Sequence, residues 1–311
     1  MSIASVRVPG LSGSGRDGRR ARLSSVPDTG ERLGLDHVDD DLASWVDDCR
    51  TVHLGRVPLR VATVGDGPPL LLLNGIGANI EMWQPLAAEL PGRRLVMVDM
   101  PGTGGSPPLR YGGGMAKYAL LVVRLLDRLG LEQVDVLGYS WGGALAQQVA
   151  HQAPSRVRSL VLGATVPGLG GRPPAPWVAA LMATPARYHS RAYLRYIAPI
   201  VFGSSPHRAA DSLHGSARLR RPPSGRGYAQ QLYAISHWSS LPFLRQLPHR
   251  TLVLAGRRDP LVPHRNAEIL ARTIPNARLH VVRGGHLFLL DHPREACAVA
   301  QAFLSEADAR A

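Results

Sequence analysis

The stretch of sequence that decides the fold is Val134-Asp-Val-Leu-Gly138-Tyr139-Ser140-Trp141-Gly142-Gly143-Ala144-Leu145. A strand pattern at its start runs into Gly-x-Ser-x-Gly, and a helical pattern follows as far as Ala153. In such a turn the serine takes a strained conformation that requires small neighbours, here Gly138 and Gly142, and its hydroxyl faces solvent above a sheet. Although Gly-x-Ser-x-Gly alone often arises by chance, the strand before it and the helix after it favour Ser140 as a nucleophile.

Two side chains downstream of Ser140 have the positions that a serine nucleophile requires. The serine needs an adjacent base, the base is oriented by an acid, and after this kind of turn the acid precedes the histidine in the chain. Asp259 lies in the loop just past the end of the apolar strand that begins Thr251–Leu254, and His286 follows the last strand on a Gly-flanked loop. Asp259 before Pro260 also suits a turn, and both roles can hold together. We therefore predict a catalytic triad of Ser140, Asp259 and His286.

A Gly-rich segment after an early strand is the candidate oxyanion loop. It reads Asn74-Gly-Ile-Gly-Ala-Asn79 and follows the apolar run Leu70–Leu73. Folds with this serine turn take one oxyanion donor from such a loop and the other from the residue after the nucleophile. We expect the backbone N–H groups of Ile76 and Trp141 to fill these roles. An ordinary Gly-rich turn is the alternative interpretation.

The alternation of strand and helix patterns along the remaining chain predicts an α/β fold. Two β-type runs, Thr51–Leu54 and Val57–Val64, are separated by Gly55-Arg56 and predict an antiparallel hairpin. Helical patterns cover Met115–Leu129 and Pro293–Leu304. Alternation of apolar strands with helices indicates a mostly parallel sheet with helices on both faces. The apolar runs are Leu70–Leu73, Leu95–Val98, Val134–Leu137, Leu160–Leu162, Thr251–Leu254 and Leu279–Val282.

The alternation of strand and helix patterns stops in the middle of the chain, where the sequence becomes rich in proline and aromatic residues. We interpret residues 167–248 as an inserted helical cap, which would lie over the strand ends where open α/β sheets bind ligands. The α/β core then comprises residues 49–166 and 249–311. Residues 1–48 pass from a basic Gly/Ser tract into an acidic run and are predicted to be a disordered arm.

Four side chains are predicted to contact the substrate in this arrangement. Asn74 and Tyr139 flank the two turns that supply the site, Trp238 lies in the cap segment, and Leu287 follows the candidate base. The aromatic and leucine residues of the cap favour an apolar acyl pocket. Nucleotide and metal mechanisms have little support, because the chain has a single lysine, Lys117, and no Cys/His set with zinc spacing. No cofactor or metal is expected.

The net charge of +13 raises the question of a nucleic-acid partner. Every basic residue except Lys117 is arginine, which is more typical of compositional bias than of a binding patch. We therefore expect no nucleic-acid partner. Residues 170–226 nevertheless hold nine arginines against one acid, Asp211, so this segment could present a basic face.

The compartment is predicted from cysteines and from apolar segments. The two cysteines, Cys49 and Cys297, do not indicate a disulfide framework. Arg19-Arg20 is not followed by the apolar run of a secretory signal, and no stretch approaches the length of a membrane span. These features favour a cytoplasmic protein.

Several of these motifs resemble the α/β-hydrolase superfamily over residues 51–305 and, more narrowly, the intracellular poly(3-hydroxyalkanoate) depolymerases of the medium-chain-length type. Three of the matching motifs lie in or beside the cap, outside the general hydrolase signature. The matching segments are Asn74–Asn79, Pro101–Pro107, Ser140–Gln148, Met182–Tyr188, Gly227–Leu232, Asp259–Pro263 and Gly285–Leu290. The chain departs from the family in Tyr139, where valine is usual, and in its N-terminal arm.

The resemblance implies hydrolysis of ester bonds in a stored aliphatic polyester, with release of 3-hydroxy acids, and Ser140, Asp259 and His286 match the family's catalytic positions. It also implies a polyester or small ester substrate and a location in the cytoplasm, at the granule. Small-molecule carboxylesterases, carbon–carbon bond hydrolases and cofactor-free haloperoxidases share the triad and stay open as alternatives. A granule-associated protein without catalytic activity is the non-enzyme alternative.

Overall fold

The computed structural model describes residues 49–291 and 293–308, without the side chains of residues 208, 213 and 214. The predicted arm, residues 1–48, lies outside the described residues. An eight-stranded sheet forms the centre of the described part, with strand order β1-β2-β4-β3-β5-β6-β7-β8. The strands are β1 (Arg50–Leu54), β2 (Val57–Val64), β3 (Pro69–Leu73), β4 (Arg94–Val98), β5 (Val134–Tyr139), β6 (Val157–Gly163), β7 (Arg250–Gly256) and β8 (Ala277–Val282).

The sheet is antiparallel at one edge and parallel elsewhere. β1 pairs antiparallel with β2 through the turn at Gly55, as the hairpin pattern predicts, and β2 pairs antiparallel with β4. All further neighbours, from β4–β3 to β7–β8, are parallel. The carboxyl ends of β5, β7 and β8 therefore lie at the same edge of the sheet, and these are the strands that the predicted triad residues follow.

Helices cover both faces of this sheet. β3 shows the reason, since it is apolar without alternation: Leu70 and Leu72 pack in one core cluster, while Leu71 and Leu73 pack in the other. The described α-helices are α1 (Gln84–Ala87), α2 (Met115–Arg128), α3 (Trp141–Gln152), α4 (Pro176–Met182), α5 (Arg191–Val201), α6 (Pro206–Asp211), α7 (Leu213–Arg220), α8 (Gly225–Ser236), α9 (Arg265–Thr273), α10 (Phe288–Asp291) and α11 (Pro293–Asp308).

The two faces are covered by different helices. Phe303 and Leu304 of α11 belong to the first core cluster, whereas Leu125 of α2, Val149 of α3 and Leu270 of α9 belong to the second. The predicted mostly parallel sheet with helices on both faces is therefore confirmed. Among the described residues, no helix is long and apolar enough to cross a membrane.

The helices α4 to α8 form a continuous insertion between β6 and β7. The two ends of this insertion pair with each other, because Leu169 N–H donates to the Trp238 carbonyl at 2.8 Å and Ser240 N–H donates to the Pro167 carbonyl at 2.8 Å. Gly168 and Ser239 form an antiparallel bridge between these two bonds. The insertion therefore leaves and re-enters the α/β core at neighbouring points. It consists of helices and connecting segments and adds no strand to the sheet.

Candidate active site

Ser140 lies at a tight turn between β5 and α3. Its backbone angles are φ 55° and ψ −117°, a conformation that non-glycine residues rarely adopt. A β-carbon on Gly138 would lie 2.4 Å from the Gly142 carbonyl oxygen, and one on Gly142 would lie 2.0 Å from the Leu73 carbonyl oxygen. The strained serine therefore depends on both glycines of the motif, and the surrounding chain holds the strain in place.

Ser140, His286 and Asp259 form one hydrogen-bonded chain. Ser140 Oγ lies 3.2 Å from His286 Nε2, and His286 Nδ1 lies 2.7 Å from Asp259 Oδ2. The second oxygen of Asp259 accepts the N–H groups of Leu261 at 2.9 Å and Val262 at 2.8 Å. A carboxylate held in this way keeps the Nδ1–H tautomer of the imidazole, which leaves Nε2 free to accept the serine proton.

The loop that carries His286 is fixed through its backbone. His286 N–H donates to the Phe202 carbonyl at 2.7 Å, and the Phe202 ring stacks on the imidazole at 6.1 Å between centroids. On the other side, Tyr139 Oη donates to the His286 carbonyl. Burial raises the pKa of Tyr139 well above its ordinary value, so the phenol stays protonated and keeps donating. Only 3% of His286 is exposed, so its orientation depends on these contacts.

The loop after β3 faces Ser140 with a free backbone donor. Gly77 N–H donates to Gln231 Oε1 at 2.9 Å, and Tyr188 Oη donates to the Ile76 carbonyl at 2.5 Å. Within the described part of the chain, no acceptor binds the backbone N–H of Ile76 or of Trp141. Both N–H groups are therefore available to a ligand beside Ser140, as an oxyanion hole requires.

The side chain of Asn74 shapes this loop from within. Its Oδ1 accepts Gly75 N–H at 2.9 Å, and its Nδ2 donates to the Asn79 carbonyl at 2.7 Å. These bonds tie the Asn74 side chain to the backbone of the loop. Asn74 borders the cavity beside Ser140, but its polar atoms serve the loop.

Two cavities border Ser140, and both are lined by the inserted helices as well as by the core. The larger has a volume of about 260 Å³ and a mainly apolar lining that includes Ala179, Leu232, Ile235 and Val262. The smaller has a volume of about 30 Å³ and is lined by His286, Tyr139 and the two inserted arginines Arg187 and Arg218. Ile76, Ser140, Met182 and Leu261 border both cavities.

The structure brings together most of the residues that the sequence predicts for the site. Tyr139 and Leu287 line the smaller cavity, as does Asn74, while Trp141 lines the larger one. Trp238 is the exception and borders neither. It is 7% exposed, its indole N–H donates to Gln148 Oε1 at 2.6 Å, and its ring packs near Phe243. Trp238 packs where the two ends of the insertion meet and lies outside the linings of both cavities, so its contact with the substrate stays a prediction.

No group of three or more His, Cys, Asp or Glu side chains in the described part of the chain is arranged to hold a metal ion. A buried acid orients a histidine, the histidine reaches a strained serine, and the two residues with free amides, Ile76 and Trp141, line the same cavity as that serine. This arrangement can add a hydroxyl to a carbonyl carbon and stabilise the oxyanion that results.

The strand order, the serine turn and the order of serine, acid and histidine are features of a known family. The sequence profile described as alpha/beta hydrolase fold matches residues 68–293. The chain belongs to the α/β hydrolase fold family. The predicted fold class is therefore confirmed, and so is the prediction that this chain is an enzyme of that family.

Individual relatives show which hydrolases of this family the chain resembles. The hydrolase is 40% identical over 266 residues to a poly(3-hydroxyalkanoate) depolymerase from Ectopseudomonas oleovorans, covering 84% of the hydrolase and 94% of that relative. It is 32% identical over 266 residues to a 2-hydroxymuconate semialdehyde hydrolase from Pseudomonas putida. That match covers 79% of this chain and 90% of the relative. An esterase from Exiguobacterium antarcticum has the same fold, with a TM-score of 0.71 at 24% identity over 80% of the hydrolase and 96% of the esterase. The predicted resemblance to the depolymerases is confirmed.

Sequence reasoning missed several residues that shape the site. Arg187 and Tyr188 lie within a motif that carries the resemblance, but the motif does not indicate that they face the serine. Phe202 and Arg218 lie in stretches with no recognisable signal. A buried arginine inside an apolar segment is the one feature that could have directed attention to Arg187, because unpaired charges are rarely buried without a function.

Proposed function

We propose that this hydrolase cleaves the ester bonds of a poly(3-hydroxyalkanoate) and releases 3-hydroxy acids. The observation that carries the proposal is the Ser140–His286–Asp259 chain beside an apolar cavity of about 260 Å³. A triad of this kind supports acyl transfer, and the cavity offers room for an alkyl side chain. The 40% identity to a poly(3-hydroxyalkanoate) depolymerase supports polyester as the source of the acyl group.

The proposed reaction has two steps. Ser140 Oγ attacks the ester carbonyl carbon while His286 Nε2 takes its proton, and the N–H groups of Ile76 and Trp141 stabilise the oxyanion. The carbon–oxygen bond to the alcohol then breaks, and His286 returns the proton to the departing oxygen. In the second step His286 removes a proton from water, and the water oxygen attacks the acyl carbon. The bond from that carbon to Ser140 Oγ then breaks, and His286 returns the proton to Ser140 Oγ. Asp259 keeps the imidazole oriented throughout.

The insertion has a place in this proposal as a cap over the site. Residues 167–248 would form the cap, and residues 49–166 and 249–311 would form the core. Met182, Tyr228 and Leu232 of the insertion border the cavities at Ser140, which supports this division. The cytoplasm, at the surface of a polyester granule, is the proposed location, because a stored polyester is the proposed substrate.

The decisive experiment is hydrolysis of a medium-chain poly(3-hydroxyalkanoate) suspension, with soluble 3-hydroxy acids measured by chromatography. The wild type should release them, and Ser140→Ala should lower the rate by at least about a thousandfold, because removal of a triad nucleophile abolishes acyl transfer. Circular dichroism checks that the variant is folded. Polyester hydrolysis by a folded Ser140→Ala variant would contradict the nucleophile.

Short p-nitrophenyl esters and 2-hydroxymuconate semialdehyde serve as competing substrates in the same assay. The 32% identity to a 2-hydroxymuconate semialdehyde hydrolase is the observation that favours the second of these. Turnover of the semialdehyde, or of short esters alone, without release of acids from the polyester would replace the proposed substrate and retain the triad.

A further inference from the structure

The smaller cavity beside Ser140 is lined by two arginines that the proposed acyl transfer does not use. Arg187 follows α4, and Arg218 lies on α7. Only 1% of Arg187 and 2% of Arg218 are exposed. Burying a guanidinium is unfavourable unless a carboxylate and further acceptors compensate it. Two such groups in one cavity therefore require an explanation.

Neither guanidinium has an acidic partner. Among the described residues, no carboxylate oxygen lies within 4.0 Å of Arg187 or Arg218. Other arginines of the insertion are paired, since Arg195 contacts Asp211 at 2.6 Å and Arg221 contacts Glu81 at 3.1 Å. Arg187 and Arg218 therefore differ from these paired arginines, and unlike the exposed Arg172 and Arg226 they are buried without a carboxylate partner.

The donors of the two arginines are largely unused. Arg187 Nη1 donates to the Thr184 carbonyl at 3.1 Å and to Tyr228 Oη at 3.0 Å, but its Nε has no acceptor. Arg218 Nε is also without an acceptor. Aromatic rings support both groups, and Tyr188 lies 4.7 Å from one guanidinium carbon and 5.1 Å from the other. Burial lowers the pKa of Arg218.

We propose that Arg187 and Arg218 form a subsite for the free carboxylate of an ester substrate, so that the enzyme cleaves the ester bond nearest to a carboxyl end. Guanidinium groups match the planar geometry of a carboxylate. The cavity volume of about 30 Å³ is small, so the cavity suits a compact anionic group such as a carboxylate.

The chemistry of a 3-hydroxy acid unit fits this placement, and here the inference rests on the proposed polyester function. In the terminal unit of the chain, one methylene separates the carboxylate from the carbon that carries the ester oxygen. A carboxylate bound beside Ser140 therefore brings the last ester bond to the nucleophile. Hydrolysis releases the terminal 3-hydroxy acid and leaves a new free carboxylate on the shortened chain. The same subsite can bind that new end, which gives removal of units one at a time.

The test compares the dimer of a medium-chain 3-hydroxy acid with the methyl ester of the same dimer. The wild type should have a kcat/KM at least about tenfold higher for the free acid, since hydrogen bonds to a charged group are the stronger kind. In Arg187→Met and Arg218→Met this ratio should fall towards one. The matched control is Arg172→Met, which replaces an exposed arginine of the insertion and should leave both the ratio and the rates unchanged.

Equal kcat/KM values for acid and methyl ester in the wild type would overturn the subsite, and so would variants that lower both values by the same factor, because that is the effect of a structural role. If the methionine variants do not fold, Arg218→Lys replaces them, because it keeps the charge. The wild-type ratio of kcat/KM for the free acid to kcat/KM for the methyl ester then tests the subsite by itself. Loss of the subsite leaves polyester hydrolysis intact as a function. Conversely, preference for the free dimer without attack on the polymer would retain the subsite and contradict the polymer as substrate.

Discussion

The hydroxyl of Tyr139 donates a hydrogen bond to the backbone carbonyl of His286, so the residue before the nucleophile holds the loop of the base. Both groups are buried, and the two rings lie 5.4 Å apart. A side chain on the strained turn thus fixes the histidine relative to the serine, although Tyr139 and His286 are 147 positions apart in the chain.

Tyr139→Phe should lower kcat more than it changes KM. The His286 carbonyl would lose its donor in a buried setting, which costs about 1–3 kcal/mol, and the imidazole would lose part of its orientation. The matched control is Tyr118→Phe, because the buried Tyr118 hydroxyl has no hydrogen-bond partner and its loss should not destabilise the fold. Kinetics on a short ester and thermal unfolding of both variants check this. Equal kcat values for Tyr139→Phe and wild type would show that the bond does not position the base.

Gly142→Ala should destabilise the fold by at least about 3 kcal/mol, since overpacking against backbone cannot be relieved by a rotamer change. The added carbon would lie 2.0 Å from the Leu73 carbonyl oxygen and 2.6 Å from that of Asn74. Gly225→Ala is the control, because a β-carbon there meets nothing within 4 Å. Urea unfolding followed by circular dichroism measures both. A Gly142→Ala variant as stable as wild type would mean that the turn does not pack as described.

Gln231→Leu should reduce catalysis through the oxyanion loop. Gln231 Oε1 accepts Gly77 N–H, and the Gln231 carbonyl accepts the Trp141 indole N–H, so this one residue contacts both sides of the predicted oxyanion hole. Removal of the side chain should lower kcat about tenfold or more, as expected when an oxyanion donor loses its position. Gln230→Leu instead removes bonds to the backbone of Leu109 and should affect stability without this loss of kcat. Equal losses of kcat in the two variants would contradict the assignment.

The two cysteines should react slowly in the folded protein. Burial raises the pKa of Cys49 to about 11 and that of Cys297 to about 12. At pH 8 the thiolate fraction is then on the order of one in a thousand or less, and only the thiolate is alkylated. Iodoacetamide labelling followed by mass spectrometry should be slow in buffer and fast in guanidinium chloride. As pH rises, Cys49 should label before Cys297, since its pKa is lower. Rapid labelling of Cys297 in buffer would contradict its burial.

The sequence contains enough to predict the fold and the residues around the serine, because these depend on local patterns. The apolar runs predict the strands, and the carboxyl ends of parallel strands place Ser140, Asp259 and His286 at the same edge of the sheet. The side chains then meet within hydrogen-bond distance.

What the sequence could not predict depends on packing between distant segments. An aromatic residue of the insertion can border the cavity or pack where the two ends of the insertion meet. Trp238 packs at that junction, and Gln148 accepts its indole N–H. The Tyr139–His286 bond arises only when the end of β5 meets the loop after β8, and Arg187 and Arg218 converge only when separate segments of the insertion pack together. Neither the hydrophobic periodicity of the sequence nor the spacing of its motifs indicates such contacts.

The most direct test of the central claim is stoichiometric labelling with a medium-chain alkyl fluorophosphonate during polyester hydrolysis. The account predicts one adduct per chain, located by peptide mapping on Ser140, and a loss of polyester hydrolysis in proportion to the labelled fraction. An adduct on another residue, or full polyester hydrolysis by completely labelled protein, would contradict Ser140 as the nucleophile of a polyester hydrolase.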